Sequence, residues 1–246
     1  MARYFLEMVY MGGPFSGFQI QPNGITVQSE TEKALALIMR KPLPLTGSSR
    51  TDSGVHALQN YFHFDVEEEL PSTFLYNINA LLPSQIAVRS VREMPADAHC
   101  RFDAISREYA YHIHLEKDPF SHGRAWYYPY TLDHGALTAA ASILSEYEDF
   151  TSFSKRNTQV KTFNCRIQES SWSFGETELI YRVRANRFLR GMVRGLVGTM
   201  LLVGRGKLDE SGLRAVIESK DCTKANFTTP GHGLFLVRVR YPWDED

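Results

Sequence analysis

Strand-like and helix-like patterns alternate along the whole chain, and this succession constrains the fold more than any other feature. Residues 3–10 are apolar on both faces, as in a central strand. A helical apolar pattern follows, with Thr26 as its predicted N-cap. The rest of the first half predicts strands over 61–66 and 86–92 and a short helix over 72–82. The residues expected to face the core from this short helix are Leu75, Ile78 and Leu82.

The same alternation returns in the second half of the chain. The predicted strands there are 109–115, 166–174, 179–185 and 234–241, and a turn at 175–177 joins the middle two into a hairpin. The predicted helices are 137–144, 188–203 and 213–217. Alternation of this kind favours an α/β or α+β domain with helices packed on a sheet.

The predicted helix over 188–203 carries an unusual row of glycines. Its apolar residues recur at helical spacing and form a continuous core stripe, and Arg194 lies on a second, basic stripe with Arg187 and Arg190. Glycine in a helix costs about 1 kcal/mol relative to alanine. We therefore expect another part of the protein to approach closely along the third stripe, which consists of Gly191, Gly195 and Gly198.

Composition places the chain among ordinary globular proteins. Of its 246 residues, 43% are hydrophobic and 22% charged, which excludes the disordered and fibrous classes. The longest apolar run, near 196–203, is much shorter than the ~20 residues of a membrane span, and no signal-peptide pattern opens the chain. Three cysteines without a CxxC pair suggest neither a disulfide framework nor a zinc site, so a reducing cytoplasm fits best and no membrane partner is expected.

Basic residues are concentrated in one part of a nearly neutral chain. The formal net charge is −1, yet residues 151–205 contain ten basic and three acidic side chains, a net charge of +7. Such a segment is typical of a surface that binds nucleic acid, although a solvated pair of basic strands would look the same.

A turn of small residues at 47–57 carries a single carboxylate, Asp52, between two apolar runs. Gly, Ser, Thr and Asp favour tight loops in which side chains bond nearby backbone amides, so this turn would present the carboxylate rigidly. From the spacing alone, Asp52 could equally be a capping residue of the turn.

The amino-acid sequence of this turn resembles the catalytic signature of the tRNA pseudouridine synthase family known as TruA. The resemblance includes RTDSGVHA at 50–57 and extends in family order over the whole chain. The further blocks are GFQ at 17–19 with Gln21, TVQ at 26–28, CRFDA at 100–104, REYAY at 107–111, NRFLRGMVR at 186–194 with Val197 and Gly198, and Pro230 with GLFL at 233–236. Three positions depart from the usual family pattern. Ser48 and Ser49 stand where an Ala-Gly pair is frequent, and Thr229 precedes Pro230 where alanine is usual.

The resemblance implies both the fold and the division of the chain. It implies an α/β (α+β) fold of two similar subdomains that share a central mixed, largely antiparallel sheet flanked by helices, with the active cleft between them. We expect an N-terminal subdomain, 1–105, with the catalytic Asp loop, and a C-terminal subdomain, 106–246, with the basic RNA-binding segment.

The resemblance also implies an activity, which is isomerisation of uridine to pseudouridine at positions 38, 39 and 40 in the anticodon stem-loop of tRNAs. Asp52 would be the catalytic nucleophile after base flipping, and whether it attacks C1′ or the uracil ring, or acts as a base on the ribose, is left open. Tyr109, Arg50 and Arg194 would bind the substrate, with Arg194 meeting Asp52. The enzyme would need no metal or redox cofactor, bind tRNA as its partner and work as a cytoplasmic homodimer.

Three other interpretations fit parts of the sequence. An RNA-binding module or chaperone that had lost catalysis would not need Asp52 or Arg194, and both are present. A glycoside hydrolase usually needs two paired acids, and only one acid lies in a recognisable site. A synthase acting on other RNAs is the remaining alternative. His112 and His114 share a strand face, but two histidines without a third ligand do not indicate a metal site.

Overall fold

The computed structural model describes residues 1–156 and 160–244 and has the α+β fold class that the sequence predicts. Its strands form mixed, mostly antiparallel sheet structure flanked by helices. The chain divides into two compact units, Met1–Ile105 with Phe235–Asp246, and Ser106–Leu234. Within the described residues, no helix combines the length and the hydropathy that crossing a membrane requires.

The first unit is built on strands that pair in the order β4-β1-β3-β9. These strands are β1 (Ala2–Tyr10), β3 (His56–Val66), β4 (Ile86–Met94) and β9 (Leu234–Arg240), and a short β2 (Thr46–Gly47) pairs with β3. The pairs within β4-β1-β3 are antiparallel, whereas β3 and β9 are parallel. The helices of this unit are α1 (Val27–Met39) and α2 (Phe74–Leu81).

Local sequence explains most of these elements. The central position predicted for residues 3–10 is confirmed, because β1 lies between β3 and β4. Thr26 is the N-cap of α1, since its side chain accepts a hydrogen bond from Ser29 N and the two residues form a capping box. The inward face of α2 was predicted wrongly in part. Leu75 is 38% exposed, and Phe74 is buried instead, because Phe74 is four residues before Ile78 and shares its face of the helix.

The second unit consists of a strand hairpin, a further strand pair and three helices. The strands β5 (Ser106–His114), β8 (Glu178–Ala185) and β7 (Ile167–Phe174) pair antiparallel in that order, and β6 (Trp126–Tyr127) pairs parallel with β5. The helices are α3 (His134–Ile143), α4 (Met192–Gly204) and α5 (Glu210–Glu218). The three helices contact one another, and α3 also contacts β7.

The helix α4 begins later than the apolar pattern predicts. Gly191 has a φ of +75° and lies at the N-cap, so residues 188–191 are outside the helix, and of the three predicted stripe arginines only Arg194 is within it. The close approach predicted at the glycines is confirmed. A Cβ on Gly195 would lie 2.8 Å from the Phe227 ring, and one on Gly198 would lie 2.2 Å from the carbonyl oxygen of Asn226.

The last strand belongs to the first unit, although the sequence analysis placed residues 106–246 together. The pairing of β9 with β3 accounts for this, with His56 opposite Phe235 and Ala57 opposite Leu236. Beyond the strand, the Tyr241 hydroxyl donates to the carbonyl oxygen of Cys100 at 2.6 Å. These contacts join parts of the chain that are far apart in sequence, which periodicity cannot reveal.

Candidate active site around Asp52

Asp52 lies in a tight turn that immediately precedes β3. The backbone N–H of Val55 donates to the carbonyl oxygen of Asp52 at 3.1 Å, and Gly54 has a φ of +79°, which glycine adopts readily. Thr51 is buried, Asp52 is partly exposed and Arg50 is exposed. The turn therefore holds its backbone in place, while Asp52 is only partly covered and Arg50 is exposed.

A second loop, residues 12–18, packs against this turn along its backbone. Phe18 N donates to the carbonyl oxygen of Thr51 at 3.1 Å. A Cβ on Gly17 would lie 3.0 Å from that oxygen, and a Cβ on Gly12 would lie 2.0 Å from the carbonyl oxygen of Val55. These two glycines thus allow a backbone-to-backbone contact that a side chain would prevent.

His56 fixes the far end of the turn. Its imidazole is buried and stacks on the Phe235 ring at a centroid distance of 4.5 Å. Gly12 N donates to Nδ1 of His56 at 3.0 Å. Because a backbone N–H can only donate, Nδ1 is unprotonated and the ring proton lies on Nε2.

A buried polar network lies under the turn, and sequence analysis did not identify it. Tyr10 OH lies 2.9 Å from Thr51 Oγ1, and Asn60 Nδ2 lies 3.1 Å from Tyr10 OH and 2.9 Å from the carbonyl oxygen of Ser49. Burial raises the pKa of Tyr10 to about 12. The network joins β1 and β3 to two residues of the turn. No local pattern marks these residues as partners.

Ser48 and Ser49, which depart from the usual family pattern, are both buried. Ser48 N donates to the carbonyl oxygen of Tyr61 at 2.8 Å, which ties this part of the chain to β3. Neither serine hydroxyl has a hydrogen-bond partner among the described residues. Their backbone contacts therefore anchor the turn, while the side chains make no such contribution.

Tyr109 is in the second unit, on β5. It is buried and lies opposite Val183 of β8. Its ring meets the Phe188 ring edge-on, at a centroid distance of 4.9 Å and an interplanar angle of 82°. The favourable edge-to-face geometry and the regular strand backbone hold this tyrosine in one orientation.

Arg194 is in the first turn of α4 and is held by the loop that follows α5. Its Nε donates to the carbonyl oxygen of Thr229 at 2.6 Å, and Thr229 Oγ1 donates to the carbonyl oxygen of Arg194 at 2.6 Å. The Tyr111 hydroxyl donates to the next carbonyl, that of Pro230, at 2.8 Å. Burial raises the pKa of Tyr111, and the positive charge of Arg194 opposes that rise.

The basic segment 151–205 is spread over several elements. On β8, Arg182 and Arg184 alternate with the buried Tyr181 and Val183, so the two arginines share the other face of the strand. Arg184 lies 3.8 Å from a carboxylate oxygen of Glu169, and Arg166 lies 3.9 Å from one of Glu148. Part of the positive charge is therefore compensated within the protein.

Histidines form two clusters, neither of which is organised as a metal site in the described residues. His112 Nδ1 lies 2.9 Å from Glu178 Oε1. Ligand atoms of His63, His99 and Cys100 lie within 4.8 Å of one another. In the second cluster, Nδ1 of His63 accepts the backbone N–H of Cys100, and Nδ1 of His99 accepts that of Arg101. Each of these two rings therefore carries its proton on Nε2. A metal would have to displace a proton or a hydrogen bond at each ring.

The predicted site residues are thus positioned by two separate sets of contacts. Arg50 and Asp52 belong to one turn in the first unit, whereas Tyr109 and Arg194 lie on β5 and α4 of the second. The supporting residues that sequence analysis missed are Tyr10, His56, Asn60 and Thr229. The available signals among them were the departure of Thr229 from the family pattern and the place of His56 within the motif at 50–57.

Comparison with known proteins identifies the chain. The model of the family described as tRNA pseudouridine synthase matches residues 8–103 and 141–242. The tRNA pseudouridine synthase A of Parabacteroides distasonis is 50% identical over 98% of this chain and 97% of its own length. The proteins of the same name from Bacteroides thetaiotaomicron and Porphyromonas gingivalis are 46% and 44% identical, each over 99% of this chain and over 92% and 99% of their own lengths.

These matches make the chain an enzyme of the isomerase class. It belongs to the tRNA pseudouridine synthase A (TruA) family, and the resemblance seen in the sequence motifs is confirmed.

Proposed function

We propose that the protein converts uridine to pseudouridine at positions 38, 39 and 40 in the anticodon stem-loop of tRNAs, with Asp52 as the catalytic nucleophile after base flipping. Family membership supports the isomerisation of a uridine in tRNA. The stem-loop target and the role of Asp52 are inferred from the motif resemblance and from the geometry of the turn.

The observation that carries the proposal is the way in which the Asp52 turn is held. Buried or backbone contacts fix the residues on both sides of Asp52, through Thr51 and Val55, while Asp52 itself remains partly exposed. A nucleophile needs a fixed position relative to the reacting carbon, because misplacement by about 1 Å can cost ~100-fold in rate. A carboxylate that served only to cap a turn would not need such support on both sides.

The reaction exchanges one bond to the ribose for another. The C1′–N1 bond of the uridine breaks, the uracil turns, and C1′ bonds to C5, whose proton is then lost while N1 gains one. Atoms and charge balance within the nucleotide, so the chemistry consumes no cofactor. As a carboxylate nucleophile, Asp52 can attack either C1′ or the uracil ring.

Reaching C1′ in a paired stem requires the nucleotide to leave the helix, at a cost of a few kcal/mol. In the proposal, Tyr109 and Arg194 bind the flipped nucleotide, and Arg50, exposed beside Asp52, contacts the RNA backbone or fills the space that the base leaves. The rigid packing of Tyr109 on Phe188 and the fixing of Arg194 by Thr229 support these roles, because binding groups that are already ordered lose less entropy.

The proposal includes a cytoplasmic homodimer. Each chain has a formal net charge of −1, and its basic residues are concentrated at 151–205. Two such segments in one assembly would give a wider basic surface for the tRNA phosphates than one chain offers. Sedimentation of the purified protein with and without tRNA tests this part, and a monomer in both samples would contradict it.

The decisive experiment maps pseudouridine in unmodified tRNA after incubation with purified protein and no added cofactor. Wild-type protein is compared with Asp52→Asn, which keeps the shape of the side chain, and with Asp221→Asn as a control. Asp221, like Asp52, lies in a loop, and its carboxylate accepts hydrogen bonds from Thr223. We expect pseudouridine at positions 38 to 40 with wild type and Asp221→Asn only.

Other outcomes of this experiment have distinct meanings. Pseudouridine at other uridines would keep the reaction and replace the target. Full activity of Asp52→Asn would remove Asp52 from the mechanism. A folded wild-type protein that binds tRNA without converting any uridine would favour an RNA-binding role instead.

A further inference from the structure

We propose that Tyr10 and Asn60 are positioning residues, which hold the Asp52 turn in its reactive geometry through a buried chain of hydrogen bonds. The proposal rests on the catalytic role of Asp52 proposed above. It concerns residues outside the RTDSGVHA signature at 50–57 and assigns them a part in the rate of the reaction.

The hydrogen bonds of Asn60 fix the orientation of its side-chain amide. Its Oδ1 accepts a hydrogen bond from Tyr61 N at 2.9 Å, and a backbone N–H can only donate, so this atom must be the amide oxygen. The amide NH₂ group therefore points the other way. It donates to the carbonyl oxygen of Ser49 at 2.9 Å and to the hydroxyl of Tyr10 at 3.1 Å.

Tyr10 carries the chain on to the turn. Its phenol oxygen accepts from Asn60 and lies 2.9 Å from Thr51 Oγ1, and either hydroxyl can donate in this second bond. With its pKa raised to about 12 by burial, Tyr10 keeps its proton throughout the physiological pH range. The chain thus links Asn60 through Tyr10 to Thr51.

The two ends of the chain lie on either side of Arg50. One end is the Ser49 carbonyl and the other is the Thr51 hydroxyl, and Asp52 follows directly. Asn60 is fully buried and Thr51 is 8% exposed, so water does not compete for these bonds. In such surroundings an unmade hydrogen bond is costly, which makes the bonded arrangement of the turn strongly preferred.

The strands that carry the two residues give the chain a rigid base. Tyr10 ends β1 and Asn60 lies within β3, and the register between these strands shifts between Met8 and Tyr10. Irregularities of this kind re-aim side chains and occur often next to active sites. Here the shift precedes the tyrosine whose hydroxyl meets the turn. The position of Asp52 is therefore fixed relative to strands β1 and β3.

The test compares Tyr10→Phe with Tyr181→Phe, and each substitution removes one buried hydroxyl and keeps the ring. Tyr181 is fully buried in the second unit, and its hydroxyl lies 2.9 Å from Ser170 Oγ. Single-turnover and steady-state rates on tRNA are measured well below the melting temperatures of the two variant proteins. We expect Tyr10→Phe to lower kcat by roughly 10- to 100-fold with KM within about threefold, and Tyr181→Phe to keep kcat within about twofold.

Thr51 provides a second comparison that does not depend on a tyrosine variant folding. Thr51→Val keeps the shape of the side chain but cannot form the hydrogen bond with Tyr10, whereas Thr51→Ser retains the hydroxyl. We expect Thr51→Val to lose kcat as Tyr10→Phe does and Thr51→Ser to recover most of it. Equal losses in both Thr51 variants would overturn the proposal.

A readout without substrate separates this proposal from the proposed function. Amide hydrogen exchange over residues 48–56 is expected to be faster in Tyr10→Phe than in wild type, and unchanged in Tyr181→Phe. Unchanged exchange together with a wild-type kcat in Tyr10→Phe would overturn the positioning role alone. A wild-type protein that makes no pseudouridine would overturn the proposed function, and the role in catalysis with it.

Discussion

Arg194 and Thr229 hold each other by two hydrogen bonds of 2.6 Å that run in opposite directions. The guanidinium Nε donates to the Thr229 carbonyl, and the Thr229 hydroxyl donates to the Arg194 carbonyl. With Nε engaged in this way, only the two terminal nitrogens of the guanidinium can form a fork toward another group. Alanine, which is usual at position 229 in the family, could keep the first bond and not the second. The threonine of this chain thus adds a contact that fixes α4 to the loop that follows α5.

The hydroxyl of Thr229 should contribute measurably to stability. Thr229 is fully buried, and a buried hydrogen bond is worth about 1 kcal/mol. We expect Thr229→Ala to lower the free energy of unfolding in urea by roughly 1 kcal/mol. Thr228→Ala is the matched control, because Thr228 is exposed and, among the described residues, its hydrogen bonds stay within its own loop, to Asn226. Equal losses in the two variants would contradict a specific role for the Arg194–Thr229 pair.

Substitution at Gly198 should destabilise the protein even though alanine favours helices. The new Cβ would lie 2.2 Å from the Asn226 carbonyl oxygen, a backbone atom that cannot rotate away. Helix propensity would gain about 1 kcal/mol, but the forced movement of the loop costs more, and we expect a net loss of roughly 2 kcal/mol for Gly198→Ala. Gly13→Ala is the control, since its Cβ would meet nothing within 4 Å. Thermal unfolding that ranks the two variants in the opposite order would refute this packing argument.

Stability should depend on pH through His63. Burial, helped by the positive charge of Arg3, lowers the pKa of His63 from its ordinary value of 6.5 to about 4. Between these values the unfolded chain binds a proton that the folded protein does not, so this contribution is complete above pH 6.5 and is lost as the pH falls toward 4. We expect a loss of roughly 2–3 kcal/mol from this group over that range.

The contribution of His63 can be isolated with His63→Asn, which retains an acceptor for the backbone N–H of Cys100. Urea unfolding of both proteins is measured at intervals from pH 4 to pH 7. The wild type should lose more stability than the variant as the pH falls. Parallel curves would show that His63 does not titrate as its burial suggests.

Removal of the Asp52 carboxylate should affect chemistry far more than binding. One side chain in a wide RNA contact contributes little to affinity when phosphate contacts provide most of it. We expect Asp52→Ala to abolish product and to change the dissociation constant for tRNA by less than about tenfold, or ~1.4 kcal/mol. Filter binding at fixed salt measures this, and a much larger loss of affinity would make Asp52 a structural residue.

Local sequence was sufficient for most elements and for a proposal of the reactive group. The capping box at Thr26 and the hairpin β7–β8 depend on residues close together in the chain, so short patterns reveal them. Asp52 and Arg50 could be proposed because a contiguous motif carries both. The start of α4 was predicted too early, because the apolar spacing extends to residues before Gly191. The left-handed backbone of Gly191 makes the helix begin after it.

Tertiary structure alone decided which residues support that motif. Tyr10 and Thr51 are 41 residues apart, and Arg194 and Thr229 are 35 apart, so no local periodicity relates either pair. Strand register brings Tyr10 and Asn60 beneath the turn, and the crossing of a loop over the glycines of α4 brings Thr229 to Arg194. A hydrogen bond requires its two groups to meet within about 3 Å, and that separation is set by the packing of the whole unit.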